Sequence, residues 1–222
     1  MGCSNLKASN SMLCQNSTNS IIDFADSGQL AGCIEEVLRD ESIFARVLRD
    51  SYFHRNGFTK IVLRRIEASG QSLRVHIWNP EKSLDTDIHN HAWNFVSYIV
   101  SGTLFNDEYE ETGMGGGWHR HIFPTLHSSS TCVSYDGRRS LKLLRRSVIN
   151  PRQAYAMNSS VLHRVGVIGN ETAVSVVFQG PAVAMDTTVL SRNRLEGMDV
   201  ARVSRLERPQ LVAHLAHLDS IL

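Results

Sequence analysis

The stretch Asp87-Ile88-His89-Asn90-His91-Ala92-Trp93 lies just before a strongly apolar segment, Trp93–Phe105. In an extended chain, side chains two residues apart point to the same face. His89 and His91 therefore share a face, and both imidazoles can reach one metal ion without helical geometry. The stretch predicts the edge of a strand that carries two ligands of a metal site.

Short segments of alternating polarity continue on both sides of this stretch, and we predict a strand for each. The predicted strands are Phe58–Ile66, Ser72–Trp78, Trp93–Phe105, Ser140–Ile149, Gln153–Met157 and Thr172–Phe178. The intervals contain no helical patterns long enough for repeated βαβ units, which argues against a doubly wound parallel sheet. The pattern predicts an all-β sandwich or barrel.

Helical spacing of apolar residues flanks the strands. It predicts two short helices between Gln29 and Phe53, and either Asp40 or Ser42 could cap the second one. Leucines at helical spacing after Pro209 predict a C-terminal helix, and we expect all of these helices to pack on the barrel. Residues 1–28 are predicted to be a disordered leader, and residues 29–222 a single domain.

Residues 106–138 interrupt the strand pattern with a glycine run, three serines in a row and several histidines. Glycine loses much backbone freedom on ordering and contributes no packing, so we predict a loop insertion that forms a mobile cover over the barrel mouth. His119 and His121 form a second pair on one face within it. Sites are normally built on rigid elements, so this pair is the weaker candidate for metal or substrate contact.

The composition excludes several classes of partner. Lys and Arg number 23 against 22 Asp and Glu, so the net charge of +1 creates no general field that would attract nucleic acid or a membrane surface. No stretch approaches the roughly 18 apolar residues of a membrane span. The four cysteines show no CxxC spacing. We expect a cytoplasmic protein with a small-molecule substrate.

A third metal ligand must come from elsewhere, and His163 in Val161-Leu162-His163-Arg164-Val165 is the best candidate. It adjoins a predicted strand, and closure of a barrel brings distant strands together. Three neutral imidazoles suit Fe, Zn, Cu or Ni and leave positions open for other molecules.

The His-x-His pair, Gly102 eleven residues later and the distant His163 together resemble the cupin superfamily. The usual first cupin motif has a Glu four or five residues after its second His, where this chain has Phe95 and Val96. A three-histidine set without a carboxylate is similar to the thiol dioxygenases, above all cysteine dioxygenase. Further segments carry the same resemblance: Leu162-His163-Arg164-Val165, Ala173-Val174-Ser175, Phe58-Thr59-Lys60 and Trp78.

The resemblance implies a jelly-roll cupin barrel that holds Fe(II) on His89, His91 and His163. Lys60 stands where the family has the arginine that grips its substrate, and it supplies a point charge rather than a two-pronged fork. The positions of the family's supporting His and Tyr are Val177 and Gln179 here, so free cysteine is not the expected substrate. Fold analogy also suggests a homodimer.

The leading hypothesis is an Fe(II) oxygenase that acts with dioxygen on a small polar or anionic metabolite. Lys60 would orient this substrate, and Tyr98 is a second candidate contact. Two alternatives stay open. One is a non-redox cupin enzyme that uses Zn, Ni or Mn for isomerase, lyase or hydrolase chemistry, and the other is a non-catalytic cupin that binds a small ligand.

Overall fold

Three helices precede the strands in the computed structural model, which describes residues 18–82, 86–125, 132–195 and 204–222. They are α1 (Thr18–Asp26), α2 (Gln29–Arg39) and α3 (Glu41–Asp50), and a fourth helix, α4 (Arg208–Ile221), lies at the C-terminal end. The predicted cap of α3 is confirmed, because Oδ1 of Asp40 accepts hydrogen bonds from the backbone N–H groups of Ser42 and Ile43. None of the described helices has the length and apolar character needed to cross a membrane.

Helix α1 lies inside the segment predicted to be a disordered leader, so that prediction is wrong for residues 18–26. Ile21 and Phe24 are the reason, because both side chains are buried in the core. Residues 1–17 fall outside the described residues. The single-domain organisation stays a prediction.

The described residues form twelve strands joined by turns and one short 3₁₀ helix, Pro80–Lys82. They are β1 (Tyr52–His54), β2 (Phe58–Ile66), β3 (Gln71–Trp78), β4 (Ile88–His89), β5 (Trp93–Ser101), β6 (Thr103–Pro124), β7 (Ser134–Ile149), β8 (Ala154–Met157), β9 (Leu162–Ile168), β10 (Ala173–Ala182), β11 (Asp186–Ser191) and β12 (Ser204–Arg205).

The strands build two antiparallel sheets. The larger sheet has the order β12-β1-β2-β3-β10-β5-β8, and the smaller sheet has the order β11-β4-β9-β6-β7, with an additional pairing between β11 and β6. This arrangement confirms the predicted all-β class and fits the two-sheet form of a jelly-roll barrel. Each of the six predicted strands coincides with or overlaps an observed one, except that Trp93–Phe105 is two strands separated by a turn at Gly102.

The main core lies between the helices and the outer face of the larger sheet. Side chains that alternate along β2, β3, β5 and β10 meet apolar side chains of all four helices, which confirms the predicted packing of α2, α3 and α4 and adds α1. A second, smaller cluster fills the space between the sheets around Phe58, Trp78 and Leu104. Burial of apolar side chains between the helices and the outer face of the larger sheet therefore stabilises the fold. The inner face of that sheet is left available to line a cavity.

The predicted loop insertion at 106–138 is wrong for most of its length, because β6 and β7 pair there as a long hairpin. The glycine run is accommodated by a register shift: Met114 and Trp118 both lie opposite Arg139, with the three glycines between them. Gly116 has φ +72°, and a Cβ there would lie 2.4 Å from the carbonyl oxygen of Arg139. The glycines thus mark an irregularity in a strand rather than a mobile cover.

Gly102 and Gly70 provide a matched pair for testing how closely the turn between β5 and β6 approaches β10. Both have positive φ values, but a Cβ on Gly102 would lie 2.6 Å from the Cα of Ala173, whereas one on Gly70 meets nothing within 4 Å. We expect Gly70→Ala to lower the free energy of unfolding by about 1–2 kcal/mol through backbone strain alone. Gly102→Ala should cost about 1–3 kcal/mol more, because it also overpacks the contact. Urea denaturation measures both losses, and equal losses would contradict the close approach at Ala173.

Candidate metal centre

His89, His91 and His163 converge at one point inside the barrel. The potential ligand atoms of the three side chains all lie within 4.8 Å of one another. The Nε2 atoms of His91 and His163 are 2.9 Å apart. Two nitrogen ligands with bonds of about 2.1 Å at a right angle would lie about 3.0 Å apart, so this spacing fits a shared metal ion.

Two short strand pairings create this convergence. In the smaller sheet β4 lies between β11 and β9, and His89 is directly opposite His163. Asn90 turns the other way and binds β11, because its Oδ1 accepts from the backbone N–H of Thr188 and its own N–H donates to the carbonyl of that residue. His91 is then fixed by its backbone N–H, which donates to the carbonyl of Ser159.

Hydrogen bonds to oxygen atoms fix the orientation of two of the imidazoles. Nδ1 of His163 donates to Oδ1 of Asn106 at 2.7 Å, and Nδ1 of His89 donates to the backbone carbonyl of Asp87 at 3.1 Å. Because a carbonyl oxygen only accepts, each Nδ1 carries the proton and each Nε2 keeps its lone pair. Such partners commonly orient metal-binding histidines.

Burial also keeps the three imidazoles in the form that binds metal. Desolvation lowers the pKa of His89, and it lowers the pKa values of His91 and His163 well below the usual range. All three side chains are therefore neutral near pH 7, and a metal ion would not have to displace protons from imidazolium groups. Position, orientation and protonation state all suit a divalent transition metal.

A cavity of about 250 Å³ opens beside the three histidines, between the two sheets. Its walls are largely aromatic, with the rings of Phe58, Trp78, Trp93, Phe95 and Tyr155 among the lining side chains. Aromatic side chains commonly fill the core of a barrel, and here Trp78, Trp93 and Phe95 also form walls of the cavity. A small molecule could occupy this space next to the three histidines.

Lys60 lines the cavity, where its Nζ donates to the hydroxyl of Tyr52 at 2.9 Å. Desolvation lowers the pKa of Lys60 well below its usual range. Arg64, which period-two spacing places on the same face, points instead to the helices and pairs with Glu36 at 3.2 Å. The cause is a β-bulge between Val62 and Arg64, which reverses the faces of the residues that follow it.

Beyond the bulge, Arg65 takes the place expected for Arg64. It lies opposite Ser72, on the face that also carries Arg74 and His76. Arg74 and His76 line the cavity, and the larger part of each side chain is buried. The larger sheet therefore presents several basic groups to the cavity.

Tyr98 does not reach the site, so its assignment as a substrate contact is wrong. It is an odd number of residues from His91, Trp93 and Phe95, and its side chain consequently packs among the helices on the opposite face of β5. Its hydroxyl donates to Asp26 of α1 at 2.9 Å. Tyr98 joins the helical layer to the sheet instead of contacting a substrate.

The second histidine pair is not part of the cluster. His121 is 1% exposed, and its Nε2 accepts from the backbone N–H of Leu195. Nδ1 of His119 contacts the hydroxyl of Tyr135 at 3.2 Å. Within the described ranges, His89, His91 and His163 form the single group of metal-competent side chains that converge. His127 lies outside those ranges.

Val177 and Gln179 stand where the thiol dioxygenases have a His and a Tyr, and neither residue brings a polar group to the three histidines. Val177 lines the cavity with an apolar side chain directly opposite Arg74. Gln179 extends away from the histidines, and its Nε2 donates to the carbonyl of Gly70 at 2.9 Å. No polar relay formed by these two positions reaches the three histidines.

Sequence patterns alone do not single out several residues that support the histidine cluster or line the cavity. Asn106 lies in the segment predicted to be a loop, and Asn90 carries no motif signal beyond its place between two histidines. His54 and Tyr155 line the cavity because strand pairing across the larger sheet brings them together. Their alternation along the strands was visible in the sequence, but the face that would become the interior was not.

No family model matches the chain, and no curated protein matches it. Similar solved structures include hydroxypropylphosphonic acid epoxidase from S. wedmorenis, which is 11% identical over 60% of this chain and 56% of that chain, with a TM-score of 0.34. Hydroquinone 1,2-dioxygenase in complex with Cd²⁺ and 4-hydroxybenzonitrile is 10% identical over 64% of this chain and 72% of that chain, with a TM-score of 0.37. The 11S globulin procruciferin from Brassica napus is 14% identical over 65% of this chain and 32% of that chain, with a TM-score of 0.34.

The chain thus spans little more than half of the epoxidase that it resembles. At these identities, and with TM-scores below 0.5, the three likenesses assign neither a family nor a reaction to this chain.

Replacement of His163 by Ala should sharply lower the metal content of the purified protein, because two imidazoles remain where three converged. The loss of affinity should exceed the roughly 10–100-fold effect of losing a group that only supports a ligand. Elemental analysis and competition with a chelator measure both quantities. His119→Ala is the matched control and should retain the metal. Full metal occupancy in His163→Ala would contradict the assignment of His163 as a ligand. His119, His121 and His127 would then be the remaining candidates.

Replacement of Asn106 by Ala should weaken metal binding by about 10–100-fold, because His163 loses the partner that fixes its ring and its protonated nitrogen. Asn106→Asp should restore most of the affinity, since a carboxylate oxygen can accept the same hydrogen bond. Chelator competition measures all three proteins. Equal affinity in Asn106→Ala and the unsubstituted protein would show that strand pairing alone orients His163.

Proposed function

We propose that the protein is a metal-dependent cupin oxygenase that uses Fe(II) and dioxygen to oxidise a small anionic metabolite. One observation carries the proposal: three neutral imidazoles, without a carboxylate from the described residues, converge on one wall of a cavity between the two sheets. This donor set suits iron, while Zn, Ni and Mn are the other candidates. The resemblance to three-histidine thiol dioxygenases supports the oxidative choice.

Bound iron would supply open coordination positions at which a substrate and dioxygen can meet. The residues of the chain have other tasks. His89, His91 and His163 hold the ion, and Asn106 holds the ring of His163 in the required orientation. The aromatic walls exclude water from the space beside the ion.

Lys60 contributes a basic group for the anionic substrate, and its contact with Tyr52 limits where its Nζ can lie. Apolar Val177 and distant Gln179 provide no proton relay beside the histidines. A free thiol such as cysteine is therefore a poor substrate in this proposal. The cytoplasmic location and the homodimer remain predictions that this site does not address.

The first test is metal content and oxygen uptake of the protein purified without added metal. We expect about one iron per chain, and oxygen consumption with at least one member of a panel of small carboxylates, phosphonates, thiols and amino acids. His91→Ala should lower the rate about 100-fold or more, because loss of a ligand exceeds the usual effect of losing a supporting group. His119→Ala should retain the rate.

Each result separates the three hypotheses. Iron with substrate-dependent oxygen uptake supports the oxygenase, and zinc, nickel or manganese without uptake supports the non-redox enzyme. Absence of any bound metal supports the non-catalytic binder and refutes the proposal. Rapid oxygen uptake with cysteine, unchanged by Lys60→Ala, would contradict the assigned substrate class.

A further inference from the structure

Arg74 is a buried charge for which the described part of the chain supplies no counter-ion. Its side chain lines the cavity, and the residue is 7% exposed. No carboxylate of the described residues lies within ion-pair distance of its guanidinium, and Nε has no hydrogen-bond partner. Buried arginines are normally paired, because removing an ion from water costs several kcal/mol.

The side chains that line the cavity also include more basic groups than acidic ones. Asp87 is the acidic residue among its lining side chains, and it pairs with Arg55 at 2.8 Å. Lys60 and Arg74 remain, and neither has a carboxylate partner among the residues that the structure describes. Lys60 has the hydroxyl of Tyr52 as its contact. The guanidinium of Arg74 and the amine of Lys60 therefore face an interior that contains no compensating negative charge from the described chain.

Trp93 places Arg74 close to the three histidines. The Cζ atom of Arg74 lies 5.1 Å from the centre of the Trp93 ring, and that ring centre lies 6.0 Å from the centre of the His91 ring. One aromatic side chain thus separates the guanidinium from a metal ligand. A small molecule held by Arg74 could reach the ion without leaving the cavity.

We propose that Arg74 anchors an oxyanion group of the substrate, a carboxylate or a phosphonate, with Lys60 as a second basic group beside it. This inference rests on the proposed function, because it takes the molecule held by Arg74 to be the one that meets the metal. The guanidinium presents parallel donors that fix the plane of a carboxylate, which Lys60 alone cannot do. The Nε2 atom of His76, buried and without a partner, offers a further polar contact.

The remaining walls define the rest of the substrate. Phe58, Trp78 and Trp93 surround the space between the cations and the histidines with aromatic surface. A flat or apolar body is therefore favoured over a highly hydroxylated one, because each unpaired hydroxyl would lose its water contacts. The substrate class is a small anion with an apolar or aromatic body.

Calorimetric titration of the full-length protein as purified tests the anchor with benzoate, phenylphosphonate and neutral benzamide. We expect at least one of the anions to bind about 10-fold or more tightly than benzamide. Arg74→Met should weaken anion binding about 10- to 100-fold and leave benzamide binding unchanged. Arg74→Lys should retain part of the affinity. Arg138→Met, the same substitution at an exposed arginine, should change none of the values.

Thermal unfolding separates this role from a structural one. Removal of an unpaired buried charge should leave the Tm of ligand-free Arg74→Met unchanged or raise it. The anion should raise the Tm of the unsubstituted protein and not that of the variant. A lower Tm with unchanged anion affinity would make Arg74 a structural residue and overturn the proposal. Equal affinity for benzamide and both anions overturns it without any variant.

Repeating the titration after removal of the metal distinguishes failure of the anchor from failure of the oxygenase hypothesis. Anion binding that persists without metal and depends on Arg74 supports the anchor, even if no oxygen is consumed with any substrate. If anion binding is lost when the metal is removed and is unchanged by Arg74→Met, the proposed role of Arg74 as the anchor is wrong. The oxygenase hypothesis would then stand or fall on oxygen uptake alone.

Discussion

The pairing of β4 with β9 is the contact on which the site depends. Strand β4 has two residues, so its few backbone hydrogen bonds must place His89 opposite His163 and direct His91 to the same point. The side chain of Asn90 adds a hydrogen bond to β11 that such a short ladder lacks. Without β4 between β9 and β11, His89 and His91 would not be held beside His163.

The larger sheet divides the energetic tasks of the protein between its two faces. Its outer face buries aliphatic and aromatic side chains under the helices, which is the favourable hydrophobic contribution. Its inner face holds Lys60, Arg74 and His76, whose burial is unfavourable in the free protein. Stability on one face thus allows the other to keep charged and unpartnered groups beside the aromatic walls.

Much of this architecture follows from local sequence patterns. Alternation placed the principal strands and put His89 and His91 on one face. The same counting excludes Tyr98, since it lies seven positions after His91 and an odd interval reverses the face. Helical periodicity and the acidic side chain at Asp40 likewise marked α2, α3 and the cap between them.

Other features depend on contacts between residues distant in sequence, which local patterns do not encode. The glycine run suggests a loop because glycine disfavours regular strands, yet a register shift opposite Arg139 lets the hairpin continue. Asn106 was missed with that segment, although it orients His163. The partner of β4 and the bulge in β2 are likewise fixed only when the sheets assemble.

That bulge separates the length of β2 from the composition of the cavity. Leu63 is the extra residue, and its side chain packs in the core under the helices. Removal of Leu63 would restore a regular ladder in which Val62 still lies opposite Arg74, Arg64 opposite Leu73 and Arg65 opposite Ser72. Both arginines would keep their faces, so a bound molecule would meet the same charges. Related chains that gain or lose this one residue would therefore differ in packing under the helices and keep the same cavity lining.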